Sequence, residues 1–189
     1  MPYKELIMNN PKVEKYLGMD LENSDIYNQI QPDIYWDGYN IPLPDNSVNC
    51  VMLTEVLEHC PDPDKVLKEA NRVLKSEGKI IFSVPFIWYL HETPYDFYRY
   101  TPFALNHILT DTGYVDIDLE TYGNNRFALL HVYLIWLKRG GAPKIFRFLM
   151  YLVTLPFILL ALVNYKNSKK KSFINGQLYI GIIGSARKA

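Results

Sequence analysis

Between Phe86 and Phe103 the chain reads FIWYLHETPYDFYRYTPF, and three polar side chains stand out among the aromatics: His91, Asp96 and Arg99. A histidine titrates near neutral pH and can act as a general base. A nearby carboxylate can orient its ring or accept from a bound hydroxyl. A guanidinium can clamp an anionic group such as a phosphate through its planar fork. Tyr95, Tyr98 and Tyr100 offer ring faces to a sugar, a flat ring or a cation. The same residues allow a plainer outcome, a structural lid in which Asp96 and Arg99 form an internal ion pair. A second set of acids lies earlier. VEKYLGMDLENS reads as a strand over about 13–19, with Gly18 as a tight passage and Asp20 closing the run. PDIYWDG gives a short strand over about 33–36, ending at Asp37-Gly38. In parallel α/β sheets ligands sit beyond the carboxyl ends of strands, so acids at such ends are candidate ligand contacts.

The elements that must carry these residues follow from hydrophobic period and punctuation. PYKELIMNN (2–10), ending at Asn9-Asn10 before Pro11, reads as a short helix. VNCVML is a nearly continuous apolar run, as expected of a strand buried on both faces. Val66, Leu67, Ala70, Val73 and Leu74 make one stripe of an amphipathic helix that stops before Gly78. KIIFSVP is a further buried strand. Thr101 caps a helix with Pro102 at its first position and Gly113 at its end. VDIDLETY alternates as a half-buried strand does, and QLYIGIIGSARK supplies the last strand. Strands alternating with helices predict an α/β, mostly parallel sheet.

The chain has 189 residues, enough for one domain with a substantial core. Its 20 Lys+Arg balance 20 Asp+Glu, which argues against a nucleic-acid partner. Cys50 and Cys60 read as reduced thiols of a cytoplasmic protein, and no Cys/His spacing resembles a zinc site. Two segments break the pattern: FALLHVYLIWL (127–137) and IFRFLMYLVTLPFILLALVNY (145–165) are far more apolar than the rest. Lys138, Arg139, Lys144 and Arg147 precede the second, and Lys166, Lys169, Lys170 and Lys171 follow it. A strand that returns to the sheet after this block rules out a single crossing. Basic flanks on both sides and Pro156 near the middle fit an interfacial or re-entrant element at the inner leaflet. The alternative is a helical insertion that covers the sheet or forms a dimer interface.

From Asp37 to Pro85 the run DGYNIPLPDNSVNCVMLTEVLEHCPDPDKVLKEANRVLKSEGKIIFSVP resembles the class I S-adenosylmethionine-dependent methyltransferases of the type 11 group. The similarity reaches back to YLGMD, forward through TPFALNHILTDTGY, and resumes at YIGIIGSARK. It implies a Rossmann-like sheet in a single domain over 1–189, with an apolar helical insertion over 126–171. It implies S-adenosyl-L-methionine as cofactor. Asp20 would hold the ribose hydroxyls, with Met19 or Leu21 on the adenine. Asp37 would face the adenine edge beside Gly38, unless it is simply a turn acid. Thr54 and Glu55 would lie by the methionine part, although Glu55 also suits a helix end. His59 would sit near the pocket, as a catalytic group or at a helix start, and His91, Asp96 and Arg99 would form the acceptor face.

One part of the family pattern is missing. The first strand and its glycine-rich loop should come before residue 1, and residues 1–12 contain no glycine. In this family that strand lies between the second and the fourth. The expectation is therefore a sheet without its first strand, either an N-terminally truncated fragment or a mis-set start. The alternatives are a second strand that slides over to the fourth, and a completing chain that fills the gap. The implied function is methyl transfer to a small or membrane-proximal acceptor, a sugar or lipid-linked intermediate, at the cytoplasmic membrane periphery. The competing reading is a non-catalytic fragment or pseudoenzyme with a membrane- or partner-binding helix.

Overall fold

The computed structural model describes residues 3–21, 32–165 and 177–189. A short helix α1 (Lys4–Met8) leads into strand β1 (Met19–Leu21), which pairs in parallel with β2 (Ile34–Trp36). These two make one small sheet. A second sheet has the order β3-β4-β6-β5, from β3 (Val48–Thr54), β4 (Leu74–Pro85), β5 (Tyr114–Tyr122) and β6 (Gly181–Lys188). β3 and β4 run parallel, and β6 lies antiparallel between β4 and β5. The larger sheet is therefore mixed rather than mostly parallel.

Two helices cover the larger sheet. α2 (Pro63–Val73) begins at Asp62, whose side chain accepts from Lys65 N, and buries Val66, Leu67, Ala70 and Val73. It ends earlier than the sequence suggests, because Leu74 already pairs with Val48 as the first residue of β4. α3 (Pro102–Asp111) is capped by Thr101, which accepts from Ala104 N, and buries Leu105 and Leu109. With Ile80, Phe82, Val84, Ile182 and Tyr114 they form the core. Gly184 on β6 is required there, because a Cβ would collide with Phe82.

Among the described residues β1 pairs only with β2, and β3 only with β4. The second strand has not slid across to β3. Two expectations fail for this reason. The strand over 13–19 is reduced to Met19–Leu21, and Asp20 lies within it rather than closing it. β3 is not buried throughout, since Asn49 and Cys50 are exposed on its open edge. Met19 and Trp36 still pack against the core, which holds the small sheet to the large one.

The apolar block is two helices, α4 (Asn125–Arg139) and α5 (Lys144–Tyr165), the second running through Pro156. Asn124 caps α4 by accepting from Phe127 N. Residues 166–171 of the expected insertion, with Lys166, Lys169, Lys170 and Lys171, lie outside the described residues. Among the described residues no helix is long and apolar enough to cross a membrane.

Candidate functional site

The site is assembled by a strap. β4 delivers Pro85 at its end, and residues 86–100 then fold back over a single 3-10 turn, Leu57–His59. The strap is tied down at both ends. Phe86 N and Ile87 N donate to Ile180 O at 2.7 and 2.9 Å. Phe97 N and Tyr98 N donate to Glu58 O at 2.9 and 3.3 Å, and the buried Tyr100 hydroxyl donates to Leu57 O at 3.0 Å. Burial raises the Tyr100 phenol far above its usual range, so it stays a donor.

The strap brings His59 and His91 together with their rings edge-on at 4.7 Å between centroids. The Nδ1 atom of His59 lies 2.7 Å from Tyr95 O, an acceptor only, so that nitrogen carries the proton. His91 Nδ1 lies 3.2 Å from Asp96 Oδ2, and the His91 backbone N donates to the same oxygen at 3.0 Å. Arg99 grips Asp96 with both prongs, at 2.6 and 2.9 Å, and also donates to Tyr98 O and Tyr89 O. The Asp96 side chain is 1% exposed. The guanidinium beside it holds its carboxyl well below the usual range. The anion-clamp role expected for Arg99 is thus taken by Asp96 itself. The pair sits behind His91 and fixes its ring.

Sequence reasoning missed Glu58. Its side chain is fully buried, and neither carboxylate oxygen has a hydrogen-bond partner. Burial, with the nearby charges of Glu55 and Asp96, pushes its carboxyl up to about 8, against the opposing pull of its own backbone N–H and of Arg99. The signal was weak. In EVLEH the second acid sits beside Leu57 and ahead of His59, and only the strap closing over that turn buries it.

On the cofactor side, Asp20 stands in β1 opposite Tyr35, with Oδ1 accepting from Leu21 N at 2.8 Å. Met19 packs inward and Leu21 is exposed. Asp37 follows β2, but its oxygens accept from Tyr39 N, Asn40 N and Asn40 Nδ2. Those bonds pull its carboxyl down to about 2. Gly38 has φ +85, and a Cβ there would touch Leu21. Thr54 ends β3 opposite Ser83. Glu55 has a left-handed backbone, φ 54, and accepts from Ser83 Oγ at 2.7 Å. Asp20 and Asp37 are thus on the small sheet, and Thr54 and Glu55 on the large one.

Residues 7–82 match the family model described as a methyltransferase domain. This stretch, under half of the chain, is similar to a methyltransferase domain. It takes in Asp20, Asp37, Glu55, Glu58 and His59 and stops before His91. The expected cofactor, S-adenosylmethionine, comes with that domain. An S-adenosylmethionine-dependent methyltransferase from Archaeoglobus fulgidus superposes with a TM-score of 0.52 at 16% identity, covering 90% of this chain and 74% of that one. Haemonchus contortus phosphoethanolamine N-methyltransferase 2, solved with S-adenosyl-L-methionine, gives a TM-score of 0.47 at 17% identity, covering 82% of this chain and 37% of that one. At such identities the likeness is one of fold: a Rossmann-like methyltransferase sheet. An uncharacterized 37.1 kDa protein in transposon Tn4556 of Streptomyces fradiae is 39% identical over 49 residues, 26% of this chain and 14% of that protein. The chain thus spans well under half the length of the Haemonchus and Streptomyces proteins.

Proposed function

We propose that this chain takes part in methyl transfer from S-adenosylmethionine to a small acceptor presented at a membrane surface, the acceptor entering under the strap of residues 86–103. The cofactor supplies an electrophilic methyl group on a sulfonium. Asp20 suits the ribose diol, since a carboxylate can accept two hydrogen bonds at once. Thr54 and Glu55 would border the methionine part. His59 and His91 would face the acceptor's reacting atom, with His91 accepting its hydrogen. Asp96 and Arg99 act through His91 as positioning residues. The remaining wall, where a glycine-rich loop would stand in relatives, would come from a strand seated between β1 and β3.

The observation that carries the membrane part is a physical link between strap and apolar helices. Trp88 stacks on His131 of α4 at 5.2 Å, and Arg139 of α4 sits 3.6 Å over the Tyr89 ring. α5, paired with α4, has no buried residue among those described, and Leu152, Val153, Phe157 and Leu160 are all more than half exposed. A helix so apolar and so exposed suits the headgroup–acyl boundary, with Lys138, Arg139, Lys144 and Arg147 at anionic lipid. A sugar or lipid-linked intermediate is the acceptor class that this placement favours.

Two measurements test the reading. Titration with S-adenosylhomocysteine should show saturable binding that Asp20→Ala weakens. Flotation with vesicles containing anionic lipid should carry the protein, and Val153→Asp with Phe157→Asp should release it. A folded protein that binds neither nucleoside nor vesicles sinks the proposal.

A further inference from the structure

Glu58, His59 and His91 each offer one ligand atom, and these atoms lie within 4.8 Å of one another. Their arrangement poses an electrostatic problem. With Nδ1 of His59 donating to Tyr95 O, its Nε2 carries a lone pair. That lone pair looks at two carboxylates, Glu58 Oε1 at 3.7 Å and Glu92 Oε2 at 3.6 Å. Acceptors then face acceptors, in a cluster where Glu58 is fully buried and unpartnered. An unpaired buried carboxylate is costly, and proteins resolve the cost with a proton, a paired cation or a metal.

We propose that Glu58, His59 and His91 bind a divalent transition-metal cation, with Glu92 as a fourth ligand from the exposed side. Three features beyond the cluster support a built site. Both imidazoles are held through Nδ1, His59 by a backbone carbonyl and His91 by Asp96, which leaves each Nε2 for a metal. Asp96 is itself fixed by the Arg99 fork. Such second-sphere anchoring is the usual companion of histidine ligands. Finally, the half-exposed Glu92 already reaches the cluster, its Oε2 lying 3.6 Å from His59 Nε2.

The distances are close to what a metal needs. At metal–ligand distances of about 2.1 Å, a tetrahedral edge is about 3.4 Å. The 3.6 and 3.7 Å separations already approach it, and no separation among Glu58, His59 and His91 exceeds 4.8 Å, so each closes by about 1.4 Å at most, while Glu92 swings in from outside that set. Two carboxylates and two neutral imidazoles neutralise a dication. Mixed nitrogen and oxygen donors suit zinc, cobalt, manganese or iron better than magnesium or calcium. If the methyl-transfer reading holds, an oxygen of the acceptor would displace Glu92, the exposed ligand, and the cation would polarise that oxygen. His91 would then serve as a ligand, and the displaced Glu92 carboxylate would accept the acceptor's proton in its place.

The test uses the whole chain, stripped with chelator and titrated with Co2+ while visible absorption is recorded. One saturating equivalent with ligand-field bands is expected. Glu58→Gln and His91→Ala should each abolish the bands, and Asp96→Asn should weaken affinity about 10- to 100-fold by releasing the His91 ring. His107→Ala is the control, since His107 pairs with Asp111 on the exposed face of α3 and should change nothing. Far-UV circular dichroism checks that each variant is folded, and Glu58→Gln keeps the side-chain shape. Two results overturn the site: a folded wild type without saturable Co2+ bands, or bands that survive Glu58→Gln and His91→Ala. Because the readout involves no methyl donor, failure here is separate from failure to bind S-adenosylhomocysteine.

Discussion

Trp88 in the strap and His131 in α4 stack at 5.2 Å with their planes 22° apart. Burial lowers the His131 pKa, so the ring stays neutral, as a stacked partner should. This contact, with Arg139 over Tyr89, joins the face that would receive an acceptor to the most exposed apolar surface of the molecule.

Removing it should loosen the strap without unfolding the core. A stacked aromatic pair contributes about 0.5–1.5 kcal/mol beyond its buried area. Trp88→Ala should therefore speed amide hydrogen exchange over 86–91 while α2 and β4 keep their protection. Unchanged exchange in the strap would mean that the Ile180 hydrogen bonds alone hold it.

The Asp96–Arg99 pair makes a sharper demand. Both guanidinium prongs are used and the carboxylate is nearly inaccessible, so lysine cannot replace arginine. Arg99→Lys leaves one carboxylate oxygen short of its strong donor. Loss of about 1–3 kcal/mol of stability is expected. Denaturant unfolding monitored by tryptophan fluorescence measures it. A loss as small as that of a surface substitution would show that water replaces the second prong without cost.

Glu58 predicts a pH dependence of the metal-free protein. Its carboxyl is raised from 4.5 to about 8, so between those values the folded state holds a proton that the unfolded state has released. Stability therefore falls as pH rises through that window. The groups facing Glu58 are Glu55, Asp96, Arg99 and His59, and none reverses the direction. In chelator, the melting temperature of wild type should drop from pH 5 to pH 8, and Glu58→Gln should flatten that slope. A wild type whose melting point is level across the window would place a compensating cation, bound or protonic, next to Glu58.

Much of this was legible in the residues. The cap at Thr101, the stripe of α2 and the alternation of β5 are local signals, and each element formed where they pointed. What failed was everything that depends on a neighbour. The length of β1 and the burial of β3 depend on which strands pair beside them, which no local pattern encodes. Glu58 was overlooked for a related reason. Its burial is produced by residues some 40 positions later, whose backbone closes over the turn. The spacing of Asp96 and Arg99 allowed both an internal ion pair and a ligand-binding role, and the structure makes the ion pair, since sequence gives spacing and not direction.

The open edge of β3 gives the last prediction. Cys50 lies on that edge and is exposed, whereas Cys60 is buried after the 3-10 turn. Desolvation raises both thiols, and Cys60 the more, to about 12. Thiolates are the reactive species, so a maleimide probe should label Cys50 quickly and Cys60 only on unfolding. Unpaired strand edges accept added strands. If a strand completes the sheet between β1 and β3, it must cover Cys50. A synthetic peptide with alternating apolar residues and a glycine-rich end, offered in trans, should then slow Cys50 labelling and strengthen S-adenosylhomocysteine binding together. Slowed labelling without tighter nucleoside binding would mean that the edge accepts a strand but that the pocket is not finished by it. Labelling untouched by any such peptide, in a chain that already binds the nucleoside, would show that β1 and β3 hold the cofactor across the gap unaided.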